Sequence, residues 1–371
     1  MKVAIVMTLA HQRGGAELAL QHLLRANRRA SRVEYTLGFL EEGPMVDEAE
    51  ALGYRVRVFE AGRLRQLQRY ARTVLSLAAW LRREQVQMTL SWMSKAHLYA
   101  APAARLAGSP AVWWQHGVPE AGWLDLCATR LPARAVFCCS IAAQQAQQQL
   151  SPPRPTWVIY PAVDLERFDP ERLPTPAEAR VQLGLPTHGP LIGILARLQR
   201  WKGLHVFLES AARVLQVYPE AQFVILGDPH FSEPDYLTEL IEQARQARIS
   251  EQVHFAGYQT EIPLWMQALD VVVNASVGPE PFGMTIIEAM ALSKSVVATR
   301  QGGPLEIISD GKDGLLVQPD DAGALASAIL HLIEHADSRR VIGKSARQRA
   351  QQFSTDRFVT EMARHLAEAA R

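Results

Sequence analysis

Two glutamates with seven residues between them are the side chains of this chain best placed to do chemistry. Glu280 lies in a loop broken by glycine and proline, and Glu288 lies two turns into a helix predicted to begin near Phe282. The free backbone N–H groups at the start of such a helix offer a site for an anion such as a phosphate. Carboxylates accept hydrogen bonds from sugar hydroxyls without a metal. The pair therefore predicts a site for a diphosphate joined to a neutral polyol, as in a nucleotide-sugar.

A plainer interpretation of the same pair is that Glu280 is a solvated loop residue and Glu288 a helix-surface charge. The neighbours of Glu288 argue against it, because they form an apolar run from Met284 to Leu292. A charge in such a run is costly unless it has a partner. The composition of the run therefore favours a functional carboxylate.

Cationic and glycine residues follow other predicted strands. Arg197 and Lys202 lie five residues apart in one loop ahead of a helix, so both could reach one diphosphate, the arginine as a fork and the lysine as a point charge. A solvated basic turn is the alternative. Gly227 and Asp228 form a further predicted turn. The ligands of parallel sheets bind outside the carboxyl ends of the strands, where all these loops are expected.

The first half of the chain has two such loops. Gly14 and Gly15 follow the first predicted strand and would let the backbone approach a ligand, although a plain tight turn explains them equally well. His116 ends a strand beside Gly117, where the alternative is a structural histidine.

The elements that must position these residues alternate along the chain as short apolar runs and amphipathic helical patterns. This alternation predicts an α/β fold with parallel, doubly wound sheets. A proline-rich segment at 151–164 marks the domain boundary. The predicted strands span residues 3–7, 35–40, 55–59, 86–92, 111–115 and 135–139 before it, and 191–195, 222–226, 253–255, 270–274, 295–298 and 314–317 after it.

Composition narrows the class of protein. The chain has 371 residues, of which 48% are hydrophobic and 21% charged, as in an ordinary two-domain globular protein. Its three cysteines have no spacing typical of metal ligands or a disulfide framework, so no metal is expected. No apolar run approaches the roughly 20 residues of a membrane span. These features predict a cytoplasmic protein without a signal peptide, and no nucleic-acid partner is expected.

The charge is unevenly distributed. The formal net charge is +1, but residues 1–160 carry 19 basic and 11 acidic residues, a net charge of +8, and the remaining residues carry 20 and 27, a net charge of −7. Such an asymmetry predicts two domains with different partners, the basic one facing something anionic.

Taken together, the motifs resemble the retaining glycosyltransferases of family 4, which have the two-domain GT-B architecture. The arginine–lysine loop at 197–203, EPFGMTIIE at 280–288 and GGPLEIISDGKDGLLV at 302–317 occur in the family's order and spacing. The resemblance implies two Rossmann-like, doubly wound domains facing a central cleft. It also implies an acceptor-binding domain at 1–160, a donor-binding domain at 161–353 and a C-terminal helix at 354–371 that crosses back to the first domain.

The resemblance also implies roles for single residues. Arg197 and Lys202 would bind the donor diphosphate and Glu288 the ribose, while Glu280 would hold the donor sugar and His116 would contact it from the first domain. The catalytic residues would be His116, Arg197, Lys202 and Glu280. The other donor-binding residues would be Gly14, Gly15, Gly227, Ile262, Phe282, Gly283, Met284, Thr285 and Glu288, with the nucleobase near 258–262.

These observations predict a retaining glycosyltransferase that moves a hexose from a UDP-sugar or GDP-sugar, with UDP slightly preferred, to a hydroxyl of a glycan, lipid-linked or small-molecule acceptor. No Asp-x-Asp motif occurs, so the diphosphate would leave without a metal, and no cofactor is needed beyond the donor. Two alternatives stay open. One is a nucleotide-sugar epimerase on the same scaffold, and the other is a subunit that binds sugar nucleotides without catalysis. A NAD-dependent dehydrogenase is disfavoured because Thr8–Glu17 lacks G-x-G-x-x-G.

A basic helix predicted at 64–83 suggests where the acceptor is met. A stripe at helical spacing is predicted to face the core, and it comprises Leu64, Leu67, Ala71, Val74, Ala78 and Leu81. Arg65, Arg69 and Arg72 lie on another predicted face, which is either solvated or docks on an anionic membrane surface. Docking would be helped by Arg25, Arg28, Arg29 and Arg32. It would place the enzyme peripherally on the inner face of the cytoplasmic membrane, in envelope polysaccharide or glycolipid synthesis.

Overall fold

A computed structural model describes residues 1–11, 14–30, 32–120 and 122–371 of the chain. In this part of the chain the protein divides into two compact units. Unit 1 comprises Met1–Ala162 and Thr355–Arg371, and unit 2 comprises Val163–Ser354. Each unit is a parallel sheet covered by helices on both faces.

Unit 1 is built on a parallel sheet of seven strands in the described residues, in the order β3-β2-β1-β4-β5-β6-β7. Its central strands are buried along their whole length, as expected where helices cover both faces. The strands are β1 (Lys2–Met7), β2 (Glu34–Phe39), β3 (Arg55–Val58), β4 (Met88–Trp92), β5 (Ala111–Gln115), β6 (Val136–Cys138) and β7 (Thr156–Val158). The helices are α1 (Gly15–Ala30), α2 (Pro44–Ala51), α3 (Leu67–Arg83), α4 (Ser94–Ala107), α5 (Trp123–Arg130) and α6 (Ile141–Gln148).

Unit 2 is built on a parallel sheet of six strands in the order β10-β9-β8-β11-β12-β13, counted over the described residues. The strands are β8 (Leu191–Leu195), β9 (Gln222–Leu226), β10 (Val253–Gly257), β11 (Val271–Asn274), β12 (Ser295–Thr299) and β13 (Leu315–Val317). The helices are α7 (Pro176–Gln182), α8 (Leu204–Leu215), α9 (Tyr236–Gln246), α10 (Ile262–Ala268), α11 (Met284–Ala291), α12 (Pro304–Ile307), α13 (Ala322–Glu334) and α14 (Ala336–Ala350), with short 3₁₀ turns at Arg200–Lys202 and Gln351–Phe353. The two sheets confirm the predicted fold class of paired Rossmann-like units.

The last helix, α15 (Thr355–Ala370), belongs to unit 1 although it follows all of unit 2 in sequence. It packs against α1. Its buried side chains Phe358, Met362 and Leu366 join the same core as β1 and β5. The core of the first unit is therefore completed by the end of the chain.

One strand is not predicted by the sequence. The proline-rich segment 151–164 indicates a domain boundary, yet β7 lies within it and pairs with β6. The prolines at 152, 153, 155 and 161 all lie outside the strand, and β7 is an edge strand that is only partly buried. Edge strands tolerate neighbouring prolines. The prolines around β7 therefore indicate a loop in the sequence although the strand forms.

The prediction for the basic helix was wrong in where the helix starts and in two residues of its core-facing stripe. Helix α3 begins at Leu67, so Leu64 and Arg65 lie in the preceding turn. Leu67 is 75% exposed and Ala71 is exposed as well, whereas the buried face carries Thr73, Val74, Leu77, Ala78, Trp80 and Leu81. Val74, Ala78 and Leu81 are buried as predicted, and Leu64 packs against the core from the preceding turn. Apolar spacing alone therefore misassigned only Leu67 and Ala71.

Candidate functional site

The loops that follow β8 and β11 meet at the point where the strand order of unit 2 reverses. These two strands are neighbours in the sheet, but β8 is followed by β9 on one side and β11 by β12 on the other. Ligands of open parallel sheets bind outside the carboxyl ends of the strands at such a switch point. The loop after β8 carries Arg197 and Lys202, and the loop after β11 carries Glu280.

Lys202 and Glu280 form a buried ion pair. The Nζ atom of Lys202 lies 2.6 Å from Oε2 of Glu280, and the glutamate is only 5% exposed. Ser276 Oγ at 2.7 Å and Asn274 Nδ2 at 3.3 Å donate to the same oxygen. Burial opposes ionisation, but the lysine and these donors outweigh it and hold the pKa of Glu280 below its usual value. Glu280 is therefore a fixed carboxylate at neutral pH.

Close backbone packing sets this pair in place. Gly203 has φ +69°, and a Cβ there would lie 1.9 Å from the carbonyl oxygen of Ala275. Gly302 has φ +68°, and its Cβ would lie 2.2 Å from the carbonyl oxygen of Glu280. Only glycine adopts this backbone at such close range. The two glycines hold the loops of the ion pair together.

Arg197 differs from Lys202 in its surroundings. It is exposed, and its guanidinium makes no hydrogen bond or ion pair with any residue that the structure describes. The ammonium group of Lys202 lies over the ring of Trp201, 4.0 Å from its centroid, and is bound to Glu280. The site thus holds one cation fixed by the protein and one available to a ligand.

The helix predicted to begin near Phe282 begins at Met284, after Gly283 with φ +112°. Phe282 is buried and packs on Phe353, with ring centroids 5.6 Å apart. The N–H groups of Gly283, Met284 and Thr285 lie at the start of α11, where the helix itself supplies no acceptors. An anion beside Glu280 would meet these donors.

Glu288 is buried in α11 and is 4% exposed. Its carboxyl group makes no hydrogen bond with a described residue, and burial raises the pKa of Glu288 to about 8, with only Arg167 acting in the opposite direction. The group therefore carries a proton at neutral pH in this structure. A ligand with hydroxyl donors would supply the hydrogen bonds that the protein does not.

The remaining donor-binding residues predicted in unit 2 lie along the same edge of the sheet. Gly227 follows β9, and a Cβ at this position would lie 1.9 Å from the carbonyl oxygen of Ala196. The Asp228 carboxylate accepts a hydrogen bond of 3.0 Å from the backbone N–H of Tyr258, whose side chain is 58% exposed. Ile262 is half-buried and begins α10.

Unit 1 places His116 at the carboxyl end of β5. Its ring packs against Trp92 and Trp114, with centroids 5.2 and 4.2 Å away. Burial lowers the pKa of His116 to about 3, so the imidazole is neutral, and its Nε2 atom has no hydrogen-bond partner among the described residues. A neutral imidazole with a free nitrogen suits contact with a sugar hydroxyl.

The glycine pair of unit 1 lies at the start of α1, and Gly15 is the first residue of this helix. The Trp92 Nε1–H donates to the carbonyl of Ala16 at 2.8 Å, which ties the helix start to the end of β4. Gln12 and Arg13, which precede the pair, lie outside the described residues.

Three residues of the site are not predicted from the sequence. Asn274 and Ser276 orient Glu280, and the signal for them is a pair of polar residues at the end of a buried strand. Arg167 is the charge that acts on Glu288, and no sequence signal connected residues so far apart. Within the described residues no group of three His, Cys, Asp or Glu side chains could hold a metal ion, and no helix is long and apolar enough to cross a membrane.

Comparison with protein families matches both halves of the chain. The model described as Glycosyl transferases group 1 matches residues 177–349, and the model described as Glycosyltransferase Family 4 matches residues 13–167. Both Arg197 and the E-x7-E pair lie within the first of these ranges.

Comparison with individual proteins finds two similar glycosyltransferases and a similar protein crystallised with UDP-glucose. The chain is 36% identical over 209 residues to a D-inositol 3-phosphate glycosyltransferase of Corynebacterium urealyticum, covering 55% of this chain and 49% of that protein. It is 32% identical over 197 residues to the lipopolysaccharide core biosynthesis mannosyltransferase LpsB of Rhizobium meliloti, covering 52% and 54%. The chain thus spans about half the length of these curated relatives. A crystal structure of Anabaena HepE in complex with UDP-glucose is similar over 99% of this chain and 100% of that chain, with 29% identity and a TM-score of 0.86.

Proposed function

Because this chain belongs to glycosyltransferase family 4, we propose that it transfers a hexose from a nucleotide-diphosphate sugar to an acceptor hydroxyl. The observation that carries the proposal is the buried Lys202–Glu280 pair at the switch point of unit 2, beside the start of α11. A fixed carboxylate for sugar hydroxyls thereby adjoins cations and backbone N–H groups for a diphosphate.

We infer that unit 2 binds the donor and that UDP is preferred to GDP. The likeness to a protein crystallised with UDP-glucose supports this preference. Arg197 would bind the diphosphate, and Lys202 would share in binding it, because an ammonium group has three donors and Glu280 occupies one. Glu288 would receive the ribose hydroxyls. The donor sugar would lie against Glu280 and the N–H groups of residues 282–285, with Gly227 and Ile262 lining the nucleotide side.

We propose retention of the anomeric configuration by attack on the face from which the diphosphate leaves. The bond from the anomeric carbon to the diphosphate oxygen breaks, the bond to the acceptor oxygen forms on the same face, and the acceptor proton passes to the departing diphosphate. Arg197, Lys202 and the start of α11 would stabilise the negative charge that develops on the leaving group. Proton NMR of the first product would show the donor's configuration; an inverted product or a trapped glycosyl-enzyme would contradict this mechanism.

Metal independence follows from the same assignment, since two cations and a helix start would neutralise the diphosphate. We expect full activity in EDTA with metal-stripped protein. An absolute requirement for added magnesium would contradict the assignment.

We place the acceptor on unit 1, with His116 contacting the donor sugar and Gly14 and Gly15 near it. The net charge of +8 in residues 1–160 supports a role at an anionic surface. Membrane docking through the turn and helix at 65–72 would bring a lipid-linked or glycan acceptor to the enzyme, in cell-envelope polysaccharide or glycolipid synthesis on the cytoplasmic side.

Calorimetry with UDP, GDP, UDP-glucose and GDP-mannose tests the donor assignment. We expect the uridine ligands to bind more tightly, and Arg197→Ala to weaken both. Labelled UDP-glucose is then incubated without acceptor and with mixed glycans. Transfer only in the presence of glycans supports the proposal, whereas conversion of the sugar without acceptor indicates an epimerase. Binding without any turnover indicates a non-catalytic subunit.

A further inference from the structure

A pocket of about 340 Å³ opens in unit 1 where β2 and β3 end. Six of the residues that line it carry polar groups, and we name it the Tyr99 pocket. They are Glu41, Glu42, Glu60, Arg69, Lys95 and Tyr99. Its volume lies at the lower end of the range of ligand pockets, which suits one or two sugar rings.

The location of the Tyr99 pocket agrees with a ligand site. It lies at the carboxyl ends of parallel strands, the edge at which ligands of such sheets bind. The starts of α3 and α4 contribute Arg69 and Lys95 to the same pocket. The residues come from four separate segments of unit 1, so the pocket is a product of the fold.

Tyr99 provides the observation that separates this pocket from a solvated notch. Its side chain is fully buried, and its hydroxyl has no hydrogen-bond partner among the described residues. An unsatisfied buried hydroxyl is unfavourable, and a ligand hydroxyl would satisfy it. The Tyr99 ring packs against Tyr70, with centroids 5.0 Å apart, so the group is held in place.

The side chain of Arg69 is held in place by Glu60. Its Nε–H donates to the backbone carbonyl of Glu60 at 2.8 Å, and Nη2 lies 3.4 Å from the Glu60 carboxylate. The guanidinium passes over Gly62, where a Cβ would lie 2.7 Å from Cδ of the arginine. Glu60 thus holds Arg69 at the wall of the pocket.

The charges on the pocket wall define the ligand. Three carboxylates and two cations leave the wall with a net charge of −1. A phosphate monoester would meet this negative excess, whereas uncharged sugar hydroxyls can donate to the carboxylates and accept from Arg69, Lys95 and Tyr99. We propose that the Tyr99 pocket binds an uncharged, hydroxyl-rich sugar unit of the acceptor and disfavours a phosphorylated one. This inference rests on the proposed glycosyl transfer.

The test measures transfer of labelled glucose from UDP-glucose to a panel of methyl hexosides and uncharged disaccharides. The same panel includes hexose 6-phosphates and an inositol phosphate. We expect at least tenfold higher kcat/KM with the best uncharged acceptor. Transfer only to phosphorylated acceptors, or to no uncharged sugar at all, would overturn the inference.

Two variants locate the effect. Tyr99→Phe removes only a hydroxyl without a partner, so we expect an unchanged or higher melting temperature and an acceptor KM raised by about tenfold. Glu42→Lys changes the wall charge from −1 to +1, and we expect it to reduce the preference for uncharged over phosphorylated acceptors. Glu50→Lys is the matched control, because Glu50 is exposed on α2 and does not line the pocket.

Calorimetry of UDP binding distinguishes a failure of the proposed function from a failure of the pocket assignment. If the wild type binds neither UDP nor UDP-glucose, the proposed function fails. If donor binding is normal but Tyr99→Phe and Glu42→Lys use acceptors as the wild type does, the pocket assignment alone is wrong.

Discussion

The two glutamates in the site of unit 2 differ in whether their carboxyl groups have hydrogen-bond or ion-pair partners. Glu280 is held as a carboxylate by Lys202, Ser276 and Asn274, whereas Glu288 lies in an apolar helix with no hydrogen-bond partner among the described residues. Two glutamates on adjoining segments therefore have opposite protonation states at neutral pH. One is ready to accept hydrogen bonds, and the other becomes ready when a ligand supplies donors.

The pKa of Glu288 predicts a pH dependence of stability. Its pKa is raised from 4.5 to about 8 in the folded protein, so the folded state holds a proton that the unfolded state releases. The stability that this adds is complete below about pH 4.5 and is lost as pH rises towards 8, by at most about 5 kcal/mol. In urea unfolding, the free energy of unfolding of Glu288→Gln should therefore rise relative to that of the wild type between pH 5 and pH 8. Parallel profiles would contradict the buried, unpaired carboxyl group.

Arg197 and Lys202 should separate catalysis from folding. Arg197 is exposed and unpaired within the described residues, so Arg197→Ala should leave stability within about 0.5 kcal/mol while lowering kcat by about 10² or more. Lys202→Ala leaves Glu280 as an uncompensated buried charge and should cost about 3–5 kcal/mol of unfolding free energy.

Denaturant curves and steady-state kinetics on both variants check this contrast. The double variant Lys202→Ala with Glu280→Gln is the control and should recover part of the lost stability, since it removes the buried charge. If Lys202→Ala alone is as stable as Arg197→Ala, the ion pair is not structural.

At the scale of elements, loops of unit 2 are positioned by the backbone approach of one segment to another. Gly302 forms an isolated parallel β-bridge with Glu280, and the N–H of Gly303 donates a hydrogen bond to the Glu280 carbonyl at 2.8 Å. The site thus depends on the loop after β12 as well as on those after β8 and β11.

Replacing Gly302 should show this dependence. Gly302→Ala adds a Cβ 2.2 Å from a backbone oxygen, so we expect loss of donor binding and a destabilisation of several kcal/mol. Gly311→Ala is the matched control, because Gly311 also has a left-handed backbone, φ +74°, but open space around it. The control should cost only about 1 kcal/mol. Calorimetry with UDP and thermal unfolding compare the two, and equal behaviour would refute the packing argument.

Helix α3 gives the second prediction at this scale. Its exposed face carries Leu67 and Leu75, 75% and 61% exposed, beside Arg72 and the preceding Arg65. Basic residues near an anionic membrane contribute about 1 kcal/mol each, so replacing both arginines with glutamate should weaken vesicle binding by roughly 30-fold or more.

Co-sedimentation with anionic and neutral vesicles at two salt concentrations measures this. Arg105→Glu with Arg134→Glu is the control of equal charge, since both are exposed residues of unit 1 on other segments. Binding that is insensitive to salt, or lost equally in the control, would leave α3 as a solvated helix face.

At the scale of the whole molecule, the chain returns to its first unit at its end. Met362 of α15 is fully buried in the core that also contains β1. Met362→Ala should therefore destabilise the protein by about 2–5 kcal/mol with little effect on UDP affinity, because the proposed contacts with UDP lie in unit 2. Thermal unfolding and calorimetry test this, with Asp356→Ala as control, because Asp356 is an exposed residue of the same helix. Equal melting temperatures would show that α15 is dispensable for unit 1.

The sequence by itself determined the fold class and the family, and it predicted the segments that carry the candidate site. Each depends on local signals: apolar runs make the strands, glycine and proline end them, and parallel strands bring their following loops to one edge. The strand β11, the E-x7-E pair and the arginine–lysine loop could all be identified in this way. The start of α3 and the edge strand β7 could not, because burial and pairing there depend on distant segments.

Only the tertiary structure decided how the site residues are paired. Lys202 and Glu280 are 78 residues apart in the chain, and no periodicity predicts that they meet. The protonation of Glu288 depends on desolvation, which is a property of everything packed around it. The unpartnered hydroxyl of Tyr99 and the orientation of Arg69 also depend on packing between distant segments. Contacts between distant segments arise from packing, so the sequence identifies which groups are present and the fold decides which of them are free to react.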